Sequence, residues 1–432
     1  MAAAGRGSGG NEGGRGEGGA PRGRRGLRRP LAALLVLLTA LGGFASVFLI
    51  DSGYMPFFSM TTAWQLPYDS EPSGDGDGVW LVDDTVVRSR FDGVTGYDVR
   101  SGKKRWEHVI PGRTEVCAAD TDPAAGVALI AYRAAGPAKK KAGGCATVVA
   151  IGLADGRELW RTADAGPAGG GTVVGVGHGL GVFLDGGRLR AVDLRTGTAR
   201  WTTALPKGCG LGDLGLAPKR LVAALGCEDE AMLAAFGPDD GTVRWTVPLD
   251  ARRGVAADAG LSVVSADPPT VRVDEQGGRK GFFAFGPDGR SRSRIGAVGD
   301  YGSIGRTAVA DGRLITIASY EGGQGGAWER LVAFDLATGG ELWRERVGNG
   351  SSNVEALDVT DGRVTTVRTD WKYGDTLYVH DAATGDEEDD RAFRDQVVDY
   401  GNPVRDLLTH GDLLIVVRGY DGARPFSVYD RW

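Results

Sequence analysis

The sequence predicts an all-β protein: an eight-bladed β-propeller preceded by a disordered cytoplasmic tail and one transmembrane helix. Three observations predict this. A pattern of the form Ala-x-Asp-x-x-Thr-Gly-x-x-x-Trp recurs along the chain at a near-fixed period, short alternating apolar runs precede each copy, and one uncharged stretch of bilayer-spanning length stands near the N-terminus.

Residues 1–29 are rich in Gly and Arg and poor in apolar side chains, so they bury too little surface to fold and read as a disordered tail. Leu31 to Ile50 carry no charge, and residues 30–50 are expected to form a signal-anchor helix. Arg22, Arg24, Arg25, Arg28 and Arg29 crowd its N-terminal side, which places residue 1 in the cytoplasm and everything after Ile50 outside. Tyr54, Phe57 and Phe58 fall in a juxtamembrane linker, residues 51–61, as boundary aromatics do. Gly43-Phe-Ala45 offers a signal-peptide cleavage site, but the apolar run exceeds the usual 7–15-residue signal core, so a retained anchor is expected. The localisation that follows is a single-pass cell-membrane protein with an extracytoplasmic domain over residues 62–432.

Within that domain two copies of the repeat are nearly intact: Ala191, Asp193, Thr196, Gly197 and Trp201, then Ala333, Asp335, Thr338, Gly339 and Trp343. With Asp98 as the first anchor, the equivalents are Gly152, Asp193, Gly237, Gly286, Asp335, Asp381 and Asp430, roughly 41 to 54 residues apart. Runs such as Leu331 to Phe334 alternate with period two and read as half-buried strands. The glycine after each anchor supplies the positive φ of a tight hairpin turn, and an anchor Asp can accept hydrogen bonds from that turn. Trp64, Trp106, Trp160, Trp201, Trp245 and Trp343 are assigned a docking role, each ring covering the seam to a neighbouring sheet. The last unit stops at Asp430-Arg-Trp432 without an outgoing strand, whereas Trp64-Gln-Leu-Pro67 resembles the outgoing strands that begin at Trp106 and Trp201. The strand around Trp64 is therefore expected to complete the eighth sheet and close the ring.

These repeats resemble the eight-bladed propellers built from pyrroloquinoline-quinone-type units over residues 62–432. That family includes quinoprotein dehydrogenases, the outer-membrane β-barrel assembly lipoprotein of Gram-negative bacteria and sensor ectodomains of bacterial kinases. The resemblance implies a scaffold shared by unlike activities. The expected function is a non-catalytic scaffold in the bacterial cell envelope that binds a protein or other ligand, with no cofactor. The alternative it implies is a quinone-dependent dehydrogenase of alcohols or sugars, with pyrroloquinoline quinone and calcium in the central channel. Dehydrogenases of this kind carry a disulfide between adjacent cysteines over the quinone, and no Cys-Cys pair occurs here. Absence of a cysteine near the apolar stretch excludes lipidation like that of the assembly lipoprotein.

The whole chain carries a net charge of −6, and the tail's +5 leaves about −11 on the remainder, which argues against nucleic acid as a partner. Cys117 with Cys145, and Cys209 with Cys227, each fall inside one repeat and are expected to form structural disulfides, worth about 3 kcal/mol each. None of the four forms a Cys-x-x-Cys pair, so no metal site is expected. Gly175 to Gly181 is followed by strand-like residues rather than a helix, which makes it a turn and not a phosphate loop. Asp75, Asp77, Asp83 and Asp84 lack the spacing of a calcium loop, Lys139 to Lys141 and Glu387 to Asp390 read as solvated loops, and His108, His178, His380 and His410 have no nucleophile motif beside them. Trp80, Trp328 and Trp371 lie outside the repeat motif and are read as core.

Overall fold

In the computed structural model, which describes residues 28–51, 59–69, 78–112, 114–122, 125–134, 145, 147–163, 173–322, 327–348, 352–370, 374–395, 397, 404–419 and 424–430, each repeat folds into an antiparallel four-stranded meander. Counted among the described residues, there are eight such blades. Blade four shows the plan: Cys209–Ala217 is the inner strand, Arg220–Cys227 and Ala231–Phe236 follow, and Val243–Pro248 is the outer strand. Blade six adds a two-residue strand, Val298–Gly299, to the edge of its inner strand Gly302–Ala310.

Two local devices recur in the blades. Six inner strands carry a bulge at matching places, for example between Leu211 and Asp213, Val354 and Ala356, and Val404 and Asp406; such bulges add to the twist of a sheet. A second bulge sits opposite the docking position of the outer strand, as between Ala191 and Val192 where Trp201 pairs with Ala191. The turn between is held by the anchor: the Asp193 carboxylate accepts from the backbone N–H of Arg195 and Thr196, and from the Thr196 hydroxyl. Where the anchor has become glycine the carboxylate moves along the turn. Asp240 accepts from the N–H and hydroxyl of Thr242, and Asp288 from the N–H of Arg290.

Burial follows the seams. Each apolar cluster joins facing sides of neighbouring blades, such as Leu189, Ala191 and Trp201 of blade three with Leu221, Ala223 and Phe236 of blade four. Blades seven and eight, joined by such a cluster, also share one eight-stranded sheet. Ser59–Gln65 supplies the outer strand of blade eight, antiparallel to Phe426–Asp430, and its first two residues pair parallel with Ala392 and Phe393 of blade seven.

The chain divides into Met1–Ile50 and Asp51–Trp432. One helix is found among the described residues, Arg28–Asp51, in which Thr39 and Ser46 return their hydroxyls to carbonyls one turn back. Among the described residues no helix is long and apolar enough to cross a membrane. This corrects the expected transmembrane helix and single-pass cell-membrane localisation. A crossing takes about 20 consecutive apolar residues, and this helix carries Thr39, Gly42, Gly43 and Ser46 along its length, with Arg28, Arg29 and Asp51 at its ends. The expected disordered tail lies outside the described residues, except for its last two positions, which begin the helix.

Carboxylates on the inner strands provide a pH test. Burial pushes the pKa of Asp213, Glu355 and Asp358 upward, and the neighbouring charge of Asp406 raises Asp358 further. A raised folded-state pKa means the stabilising contribution is complete below the ordinary carboxylate range and is lost as pH rises through the folded value. Asp358→Asn is therefore expected to raise Tm at about pH 7 and to give no gain near pH 3.5. An equal shift at both pH values would contradict this.

Candidate interaction site

The docking tryptophans lie in the seams as parts of the frame. Trp64 donates its indole N–H to the Val99 carbonyl at 2.8 Å, Trp160 to Leu194 at 2.8 Å, Trp201 to Pro238 at 2.7 Å, Trp245 to Pro287 at 3.0 Å and Trp343 to Ala382 at 3.2 Å. Each ring lies on the turn glycine of the adjoining blade, and Trp106 lies likewise on Gly156, although its buried N–H has no partner among the described residues. In blade five the docking register holds Ser293, whose hydroxyl donates to the Leu336 carbonyl at 2.7 Å and so keeps the bond without the ring. In blade seven the same register holds Asp389.

This contrast yields a graded prediction. Gly385 and Gly339 both sit at positive φ, 83° and 76°, so alanine strains either turn. A Cβ on Gly385 would lie 2.6 Å from the Trp343 ring, whereas one on Gly339 meets Ser293 at 3.2 Å. Gly385→Ala is expected to cost at least about 1 kcal/mol more than Gly339→Ala in denaturant unfolding; equal costs would contradict the docking role of the ring.

Cys209 and Cys227 are bonded across the first hairpin of blade four, with Cα atoms 3.9 Å apart. Cys145 is disulfide-bonded, and the side chain of Cys117 lies outside the described residues. The expectations placed on Asp75, Asp77, Lys139 to Lys141 and Trp371 also lie outside them.

A quinone cofactor would need a flat aromatic floor beside a cation held by carboxylates. Trp80 packs into the core between blades one and two, and Trp328 is engaged by Tyr320 and Arg346. From an inner-strand bulge of blade six, Arg306 reaches to blade eight and donates to the carbonyls of Arg405 and Val404, both at 2.6 Å. These residues do not fit a quinone site. Among the described residues no three His, Cys, Asp or Glu side chains gather as a metal cage. Two histidines are placed in structural settings: His410 meets Asp84 at 2.9 Å, and His380 is buried, which lowers its pKa.

The feature with binding chemistry is a groove between blades four and five, about 560 Å³, lined by Leu249, Asp250, Arg252, Arg253, Phe283, Arg292 and Arg294 among others. One bank is the linker after Val243–Pro248. Asp250 caps it, accepting from the N–H of Arg252 and Arg253, and Gly254 closes the turn at φ 66°, which leaves both arginines exposed. The other bank is the outer strand Ser291–Gly296. Its alternation buries Ser293 and Ile295 and exposes Arg292 and Arg294. Arg294 stacks on Phe283 at 5.2 Å, and Arg294 and Arg279 share the Asp250 carboxylate at 3.7 Å each. Arg252, Arg253 and Arg292 form no ion pair among the described residues. Two guanidinium groups thus share the Asp250 carboxylate, and Arg252, Arg253 and Arg292 line the groove beside them, in a domain of net negative charge. Sequence reasoning missed this groove, although the period-two run Arg290-Ser-Arg292-Ser-Arg294 was a visible signal for one bank.

A family model described as outer membrane protein assembly factor BamB matches residues 144–279 and 229–417. No curated protein sequence matches the chain. Among solved structures, BamB from Moraxella catarrhalis superposes with a TM-score of 0.50 at 14% identity, covering 85% of this chain and 99% of that one. Quinohemoprotein alcohol dehydrogenase ADHIIG from Pseudomonas putida HK5 gives 0.50 at 13% identity, covering 88% and 77%. A europium-containing methanol dehydrogenase gives 0.50 at 12%, covering 84% and 85%. Identities this low establish a shared fold alone, but the family model spans more than half of the sequence: the chain belongs to the family of pyrroloquinoline-quinone-type repeat propellers described as outer membrane protein assembly factor BamB.

Proposed function

We propose that this propeller is a non-catalytic binding scaffold of the cell envelope, and that its groove between blades four and five holds an acidic segment of a partner protein. The observation that carries the reading is the local concentration of positive charge: Arg252, Arg253, Arg292 and Arg294 line one groove of a domain whose net charge is negative. Family membership supports an envelope role that works through protein contacts, the family description naming outer-membrane protein assembly. The linker bank and the strand bank are each fixed by the blade behind them, so the backbone needs no ordering on binding and Arg294 is already held by Phe283 and Asp250. Guanidinium groups match carboxylates in bidentate geometry, and exposed ones attract them over a distance that salt shortens.

The test is fluorescence anisotropy with a labelled glutamate-rich peptide. Saturable binding that weakens steeply between about 20 and 200 mM salt is expected. Absence of saturation, or affinity indifferent to salt, would count against the groove.

A further inference from the structure

The second and third strands of blade six are longer than their counterparts: Arg313–Glu321 and Ala327–Asp335 run nine residues each, against six for Leu180–Asp185 and Arg188–Asp193 in blade three. On one face of this longer hairpin Arg330 lies directly opposite Arg346 of the outer strand Glu341–Arg346. Like charges placed directly across an antiparallel pair repel one another. The pair is nevertheless built in. The Arg330 guanidinium lies 3.4 Å over the Tyr320 ring, Arg346 lies 5.0 Å over Trp328, and the two rings meet edge to face at 6.3 Å.

Stacking holds each guanidinium by its face and leaves the N–H edges free for acceptors. Neither arginine forms an ion pair among the described residues. The acidic neighbours Glu329 and Glu345 alternate to the opposite face, where Glu329 accepts from the N–H of Val354. Two cations set side by side, each fixed by an aromatic ring and neither neutralised, form a seat for one anion whose oxygens accept from both.

We infer that Arg330 and Arg346 form an oxyanion clamp that takes a phosphate or carboxylate group. This site uses strands other than those of the arginine groove, so it stands whether or not the groove binds an acidic segment.

The experiment titrates the full chain with inorganic phosphate and, separately, with succinate, at constant ionic strength set by chloride, following Tm and tryptophan emission. A saturable rise in Tm with either anion is expected, and the more effective one identifies the preferred source of oxygens. Trp328→Phe should keep the rise in Tm while losing the change in emission. Arg346→Gln relieves the repulsion, so in chloride alone its Tm should equal or exceed that of the wild type, and its response to anion should weaken at least tenfold. Arg292→Gln with Arg294→Gln should keep the saturable rise in Tm that Arg346→Gln loses, which separates clamp from groove, and loss of that rise in the groove variant would also overturn the clamp. No saturable response to either anion, or an undiminished response in Arg346→Gln, overturns the clamp.

Discussion

Deleting residues 59 to 65 is expected to abolish cooperative unfolding of the propeller. That strand is the outer strand of blade eight and its parallel link to blade seven. It also seats Trp64 on Gly102 of blade one and buries Met60 completely against blades seven and eight. Around it, Arg394 donates to the Met60 carbonyl at 3.0 Å, and the Asp430 carboxylate accepts from the N–H and hydroxyl of Thr61. Loss of Trp64 alone, through Trp64→Ala, should cost about 3 kcal/mol by analogy with other large-to-small changes. Removing the whole strand leaves two blades with exposed edges and a severed ring. Thermal unfolding followed by circular dichroism checks both; a deletion variant that melts in one transition at the wild-type temperature would contradict the closure.

Reversing charge on the strand bank of the groove is expected to have the largest effect on binding. Arg292→Glu with Arg294→Glu replaces two cations by two anions on a face that also holds Asp250. Affinity for a glutamate-rich peptide should fall by about 100-fold, corresponding to roughly 2.7 kcal/mol. Both side chains are exposed, so Tm should change little, and circular dichroism with calorimetry separates lost binding from lost folding. Reversal that leaves affinity intact would place any acidic ligand elsewhere.

The all-β repeat plan was legible because it rests on local signals: alternation, a turn glycine at positive φ, and a ring four residues later. Even the eroded copies follow a local rule, since the carboxylate lost at Gly237 returns at Asp240. The membrane expectation, drawn from an uncharged run with flanking arginines and boundary aromatics, failed because among the described residues no helix is long and apolar enough to span. The groove was only half legible. Arg290 to Arg294 alternate in plain view, but the linker carrying Arg252 and Arg253 lies some forty residues upstream, and only the docking of blade four on blade five sets the two side by side. Trp328 shows the same limit. Read as core, it stands partly exposed with an arginine on its face, because that role depends on cross-strand register.

Amide hydrogen exchange with and without a saturating glutamate-rich peptide tests the groove most directly, since it reports where the ligand sits as well as whether it binds. Protection is predicted over residues 249–254 and 291–296, and it should vanish in the doubly reversed variant. Protection confined to other blades, or none at saturation, would contradict the assignment.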